Sequence, residues 1–159
     1  VIHDVSTHGW HVVNVWPEQR TPGWAFTIGL EQTLSHPEIV VFGLDPELAH
    51  PLLNDVGEAI RGGQVYEAGH QYSGLLEGIQ LTFKPVDPTW YGPFLGTAIW
   101  FNEGTSFNTL QLIWPDKNAF YPWQDGFDSD WTWAQPMLFE TDLKSANAEE
   151  LMRSLGDVH

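Results

Sequence analysis

Hydrophobic spacing switches between a helix-like and a strand-like period along this chain, and the switches divide it into elements. Ile2 and Val5, followed by Gly9, have the spacing and the stop of a short helix over Val1 to His8. The next run, WHVVNV from Trp10 to Val15, is apolar and β-branched enough for a strand. WPEQRTPG, Trp16 to Gly23, carries two prolines and predicts a loop. Ala25 to Leu30 and Ile39 to Leu44 follow as nearly continuous apolar runs, the pattern of central strands covered on both faces.

Asp45 then offers an N-cap and Pro46 a first helical residue. Leu48, Leu52, Val56, Ala59 and Ile60 recur at helical spacing until Gly62-Gly63 ends the helix. Pro51 lacks the N–H that would bond back to Glu47, which predicts a kink near His50. Beyond it, QVYEAGHQYSGLLEGIQLTFKPV reads as a short extended piece, a glycine-rich turn and a strand from Gly78 to Val86. In Pro88 to Gly104, Tyr91, Leu95 and Ile99 suit a short helix after Pro93, and NTLQLIW, Asn108 to Trp114, alternates like a strand. A Pro-, Asp- and Trp-rich tail leads to a helical pattern over Ala148 to Leu155, with Asn147 as cap and Glu150 completing a capping box. The sum predicts an α+β fold, a single domain over residues 1–159. Its mixed sheet has about five strands, with one or two helices packed on one face.

Charge narrows the partners. The 21 acidic and 6 basic residues give a formal net charge of -15, which leaves no basic stripe to neutralise phosphates and argues against nucleic-acid binding by electrostatics. The same surplus repels an anionic membrane surface and steers a basic protein or a cationic ligand inward, although solubility alone would also account for it. With 0 cysteines, disulfides, thiolate metal sites and a cysteine nucleophile are excluded. No apolar run approaches the roughly 18 residues of a membrane span, and the start, which is Val1 and not methionine, has no signal-peptide pattern. A cytoplasmic location is the expectation. The 9 Trp, 9 Phe and 4 Tyr supply core volume; most of the tryptophans are expected at core edges, and one or two would be expected to line a pocket.

Three polar clusters adjoin apolar strands. At His8-Gly9-Trp10-His11, histidines three apart could form a metal pair on one helix face, but Gly9 breaks the helix between them, and a strand-entry turn is the other reading. At Ser35-His36-Pro37-Glu38, between the two central strands, His36 and Glu38 could serve as base and orienting carboxylate or as metal ligands. Alternatively Pro37 shapes a turn there, and Glu38 caps the strand or pairs with Arg20. In WPDKNAFYPW, Trp114 to Trp123, Asp116 lies between Trp114 and Trp123, where a carboxyl could have a raised pKa and act as a general acid; an Asx turn onto Asn118 is the other reading. His50 shares the polar face of the long helix with Asn54 and Arg61 and reads as a solvated residue. A composite metal site from His36, His50 or His70 has no local spacing to predict it, and no metal or cofactor is assigned. Nucleophile-elbow, phosphate-loop, dinucleotide and H-E-x-x-H motifs are all absent.

Five ordered blocks, HGWHVVNV (8–15), PGWAFTIGL (22–30), HPEIVVFGL (36–44), LLNDVGEAIRGG (52–63) and WPDKNAFYPW (114–123), resemble the DUF4262 family of bacterial proteins over about His8 to Pro136. Two departures stand out: Ala119 where the family pattern implies glycine, and Gln124 where glutamate commonly follows Pro-Trp. The resemblance implies a coherent fold and a bacterial origin, and no reaction. A fainter similarity links the T-x-G-L and H-P-E blocks to suppressor-of-fused-like domains, which include toxin-immunity proteins.

Two classes of function remain open. A binding module for a basic protein would show an acidic face with one or two exposed aromatics. A small-molecule-binding protein or enzyme would instead gather Thr27, His36, Glu38, Trp114, Asp116 and Trp123 in one pocket, with His8, Trp10 and His50 as secondary candidates.

Overall fold

Strands β1 (His11–Val15), β2 (Trp24–Ile28), β3 (Glu38–Phe42), β4 (Gln71–Leu76), β5 (Ile79–Pro85) and β6 (Thr109–Ile113) build one 6-stranded sheet in the order β1-β2-β3-β6-β5-β4. Neighbours run antiparallel throughout, except that β3 and β6 at the centre are parallel. The computed structural model describes residues 1–19 and 21–139; the helical pattern over Ala148 to Leu155 and the partner suggested for Glu38, Arg20, lie outside the described residues.

Both faces of the sheet are covered. Helix α3 (Pro46–Arg61) lies on one face, where Ala49, Leu52, Leu53, Val56 and Ile60 meet Ala25, Ile39, Val41, Phe83 and Leu112. The opposite face carries Trp24, Phe26, Val40 and Phe42 against Trp90, Tyr91, Phe94 and Ala98. Successive residues of β2 and β3 therefore alternate between two apolar layers, and this is why both strands are apolar apart from Thr27 and Glu38. Each such side chain contributes roughly 1.5–3 kcal/mol on full burial, so the two layers hold most of the hydrophobic driving force.

Helix α3 starts as its sequence implies: the Asp45 carboxylate accepts from Glu47 N–H at 2.8 Å, and Pro46 opens the helix. It stays helical through Pro51. Its approach to β1 depends on Gly57, where a Cβ would stand 2.4 Å from the Trp10 ring, and on Trp10 Nε1–H donating to Asn54 Oδ1 at 3.0 Å. Helix α1 (Ile2–His8) ends at Gly9 in the left-handed conformation, φ 108°, as predicted.

Local differences from the sequence reading have local causes. The second strand ends at Ile28, because Gly29 (φ 104°) turns the chain into a single-turn helix, α2 (Leu30–Leu34), that Ser35 (φ 55°) closes. The segment before Gly78 is a sixth strand, β4, whose pairing with β5 shifts register between Tyr72 and Leu76. Helical structure begins ahead of Pro93, in a 3-10 turn at Pro88–Trp90 capped by Asp87, and continues as α4 (Tyr91–Phe94) and α5 (Gly96–Asn102).

Candidate functional site

The parallel register of β3 and β6 decides how the candidate blocks relate. Glu38 pairs with Thr109 and Val41 with Leu112, so the His36-Pro37-Glu38 block sits where both strands begin and Trp114-Pro115-Asp116 follows where β6 ends. From Thr109 to Trp114 the chain advances about 16 Å at roughly 3.3 Å per residue. The expected gathering of the two blocks into one pocket is not what the fold builds: Thr27, His36 and Glu38 share one end of the sheet, and Trp114 and Asp116 leave from the other.

At the first end the side-chain polar atoms of Thr27, His36 and Glu38 are engaged internally. Glu38 is 1 % exposed; its Oε1 accepts from Thr27 Oγ1 at 2.8 Å and Leu30 N–H at 3.2 Å, and its Oε2 from Gly29 N–H at 2.9 Å and Glu31 N–H at 3.4 Å. The carboxyl group thus satisfies the backbone donors that open α2. Burial pushes its pKa up to about 7, against the pull of Thr27 and the backbone donors of Gly29, Glu31 and Leu30. Thr27 Oγ1 also accepts from Ile39 N–H at 2.9 Å, tying β2 to β3 beyond their ladder. His36 is buried, with Nδ1 2.9 Å from the Pro37 carbonyl and Nε2 3.0 Å from Tyr66 N–H. These partners require the proton on Nδ1 and leave Nε2 as acceptor, so neither nitrogen faces a substrate.

At the second end Asp116 organises a loop. Its Oδ1 accepts from Asn118 N–H at 2.9 Å and Phe120 N–H at 3.0 Å, and its Oδ2 from Asp128 N–H at 2.9 Å. The Asx turn is therefore present. The raised pKa needed by a general acid is not: burial pushes the carboxyl up, but the Phe120, Asp128 and Asn118 donors prevail and hold it below the ordinary carboxylate value. The loop passes through Ala119 at φ 66°, a backbone region that favours glycine. Ala119→Gly is expected to stabilise the protein by about 0.5 to 1 kcal/mol in urea unfolding, and a loss of stability would contradict the strain. At Gln124, Oε1 accepts from Tyr121 N–H at 2.8 Å, a turn contact that a glutamate carboxylate would also make. Trp123 stacks on Tyr121 at 5.3 Å, beneath the Lys84 ammonium 4.8 Å from its ring.

Of the secondary candidates, Trp10 is buried in the core and His8 and His50 are exposed. His8 lies against Trp10 with ring centroids 4.6 Å apart, Arg61 covers Trp10 at 4.6 Å while bonding Glu58 and the His8 carbonyl, and His50 meets Asn14 at 2.7 Å. His11 pairs with Asp4 at 2.7 Å instead of with His8, and this hydrogen bond holds the Asp4 carboxyl below its ordinary value. Among the described residues no group of 3 or more His, Asp or Glu side chains is placed to hold a metal ion. None of the helices among them is long and apolar enough to cross a membrane.

A feature that the sequence reading passed over as tail stands at the Asp116 end. Trp131 and Trp133 stack with centroids 6.2 Å apart and planes at 23°, and Trp114 meets Trp131 edge-on at 6.3 Å. Trp131 is 44 % and Trp133 58 % exposed, yet the segment beneath them is fixed. Gln135 bonds both backbone groups of Trp114, Gln111 holds Pro136 and Leu138, and Ala134 packs directly on Gly43. Asp125, Asp128 and Asp130 precede the Trp131–Trp133 pair in sequence, with Lys117 as the loop's cation. Two tryptophans spaced i, i+2 directly after Asp-Ser-Asp were the available signal.

Fold and site define an α+β domain with a buried-carboxylate junction at one end of its central strands and an aromatic, acidic rim at the other. The chain belongs to the DUF4262 family, described as a domain of unknown function, whose pattern matches residues 4–128. No curated protein and no solved structure matches it.

Proposed function

We propose that this domain is a binding module for a basic protein, in the manner of an immunity protein, and that it meets its partner through the Trp131–Trp133 rim. The stacked, exposed pair Trp131 and Trp133 on an anchored segment carries the reading. Tryptophan is enriched among the few residues that dominate interface energy, and a rigid aromatic is ordered at little entropic cost on binding. The net charge of -15, with Asp125, Asp128 and Asp130 just ahead of the pair in sequence, favours a positively charged partner and accelerates its approach. The enzyme or small-molecule alternative has less to rest on, because His36, Glu38 and Asp116 direct their polar atoms at the protein's own backbone.

The test is titration of the chain with basic proteins of pI above about 9, read by calorimetry at low and high salt. Wild type is expected to bind at least one of them with a steep salt dependence. The Trp131→Ala/Trp133→Ala double variant is expected to lose more than about tenfold in affinity. Binding that the double variant retains in full would move the interface elsewhere and overturn the reading.

A further inference from the structure

Deepening the basic-partner reading and resting on it, we infer that the group received at the rim is an arginine guanidinium, laid flat on the exposed indole of Trp133 and hydrogen-bonded sideways to a neighbouring aspartate. Trp131 takes one side of Trp133, and Trp114 holds Trp131 edge-on from behind, so Trp133 is the outermost ring of the ladder and the most exposed. Of the carboxylates nearby, Asp116 is consumed by the loop backbone, and Asp128 by Asp130 N–H at 3.0 Å. The carboxylates of Asp125 and Asp130 form no hydrogen bond or ion pair among the described residues, and both residues are exposed. Trp133 thus presents a largely exposed indole, and Asp130, three residues before it in the 3-10 turn Ser129–Trp131, carries a carboxylate without a partner among the described residues.

A guanidinium suits that combination better than an ammonium does. It is planar, weakly hydrated and stacks on an indole while its in-plane N–H groups remain available to carboxylates; a lysine ammonium is compact, strongly hydrated and cannot do both in one plane. The chain already contains this arrangement within itself. Arg61 lies 4.6 Å over the Trp10 ring while its Nη1 donates to Glu58 Oε1 at 3.1 Å. The inference is that Trp133 and Asp130 offer the same pairing with the arginine supplied by the partner.

The experiment uses the full chain and two synthetic peptides of equal length and charge, one bearing arginines and the other lysines at the same positions. Affinities come from tryptophan fluorescence and calorimetry. The arginine peptide is expected to bind about tenfold more tightly, the preference being lost in Trp133→Ala and reduced in Asp130→Asn. Trp133 is largely solvent-facing, so its removal leaves the fold in place, which circular dichroism checks. Equal affinities for both peptides, or a preference that Trp133→Ala retains, would overturn the arginine assignment while basic proteins still required the tryptophan pair. Failure of every basic protein and both peptides to bind would instead overturn the basic-partner reading, and the inference with it.

Discussion

Glu38→Ala lowers the stability of the folded chain by about 4 kcal/mol in reversible urea unfolding, because several buried donors lose their acceptor at once. The donors are the hydroxyl of Thr27 and the N–H groups of Gly29 and Leu30, all three in buried bonds, and the part-buried N–H of Glu31. Helix α2 is a single turn and cannot hold itself together without that carboxyl. Through α2 the loss spreads to β3 and β6, since Glu31 Oε2 accepts from Asn108 N–H at 2.6 Å and Glu38 N–H donates to the Asn108 carbonyl at 2.9 Å.

The same residue gives stability a pH dependence with a definite sign. With its pKa raised from 4.5 unfolded to about 7 folded, the native chain retains a proton on Glu38 that the unfolded chain has released. Its contribution is therefore greatest below pH 4.5, declines as pH rises to about 7 and is constant above that. The decline amounts to about 3 kcal/mol at 1.36 kcal/mol per pKa unit. Glu38→Gln, which cannot titrate, is expected to lack this component. Parallel pH profiles for wild type and Glu38→Gln would show that Glu38 does not titrate in this window.

Gly43→Ala strikes the other end. At Gly43 the backbone has φ 79°, and an added Cβ would lie 2.6 Å from the Ala134 carbonyl oxygen and 2.9 Å from the Ala134 Cβ. Neither obstacle is a flexible side-chain tip that could swing away. Left-handed strain and overpacking together cost about 3 kcal/mol, so the chain relieves them by releasing the strap from Trp131 to Leu138. Because that strap carries Trp131 and Trp133 and is bonded to Gln111 and Trp114, its release disperses the aromatic ladder. The expected signature is faster amide exchange at Leu138, whose N–H donates to Gln111 Oε1, together with weakened binding of basic proteins although no tryptophan has been changed. Stability within about 0.5 kcal/mol of wild type would contradict the close approach.

These two residues also show what could be read from the chain alone. Central strands buried on both faces were legible because β2 and β3 have no polar alternation, and α3 because its cap, spacing and terminal glycines agree. Helix α2 was illegible: one turn is too short for a period, and its bounds are set by Gly29 and by Ser35, a residue seldom found at positive φ. Strand β4 hid behind Gly74 and a register shift. The site was misjudged for a different reason. His36-Pro37-Glu38 and Trp114-Pro115-Asp116 have equal local appeal as polar groups at strand ends, and only the parallel pairing of β3 with β6, a relation between residues some seventy positions apart, sends them to opposite ends of the sheet. The Asx turn of Asp116 onto Asn118 was legible locally, but no local pattern reveals that Asp116 would also take Phe120 and Asp128, or that the Glu38 carboxyl would be filled by the donors that open α2.

The most direct measurement is nuclear magnetic resonance of the 15N-labelled chain during titration with a basic protein that binds it. The account predicts shifts at the indole N–H signals of Trp131 and Trp133 and at the amides of the Asp125–Asp130 loop, with Gly29, Glu31 and Ile39 unmoved. Shifts concentrated at Gly29, Glu31 and Ile39, with both indoles unchanged, would contradict it.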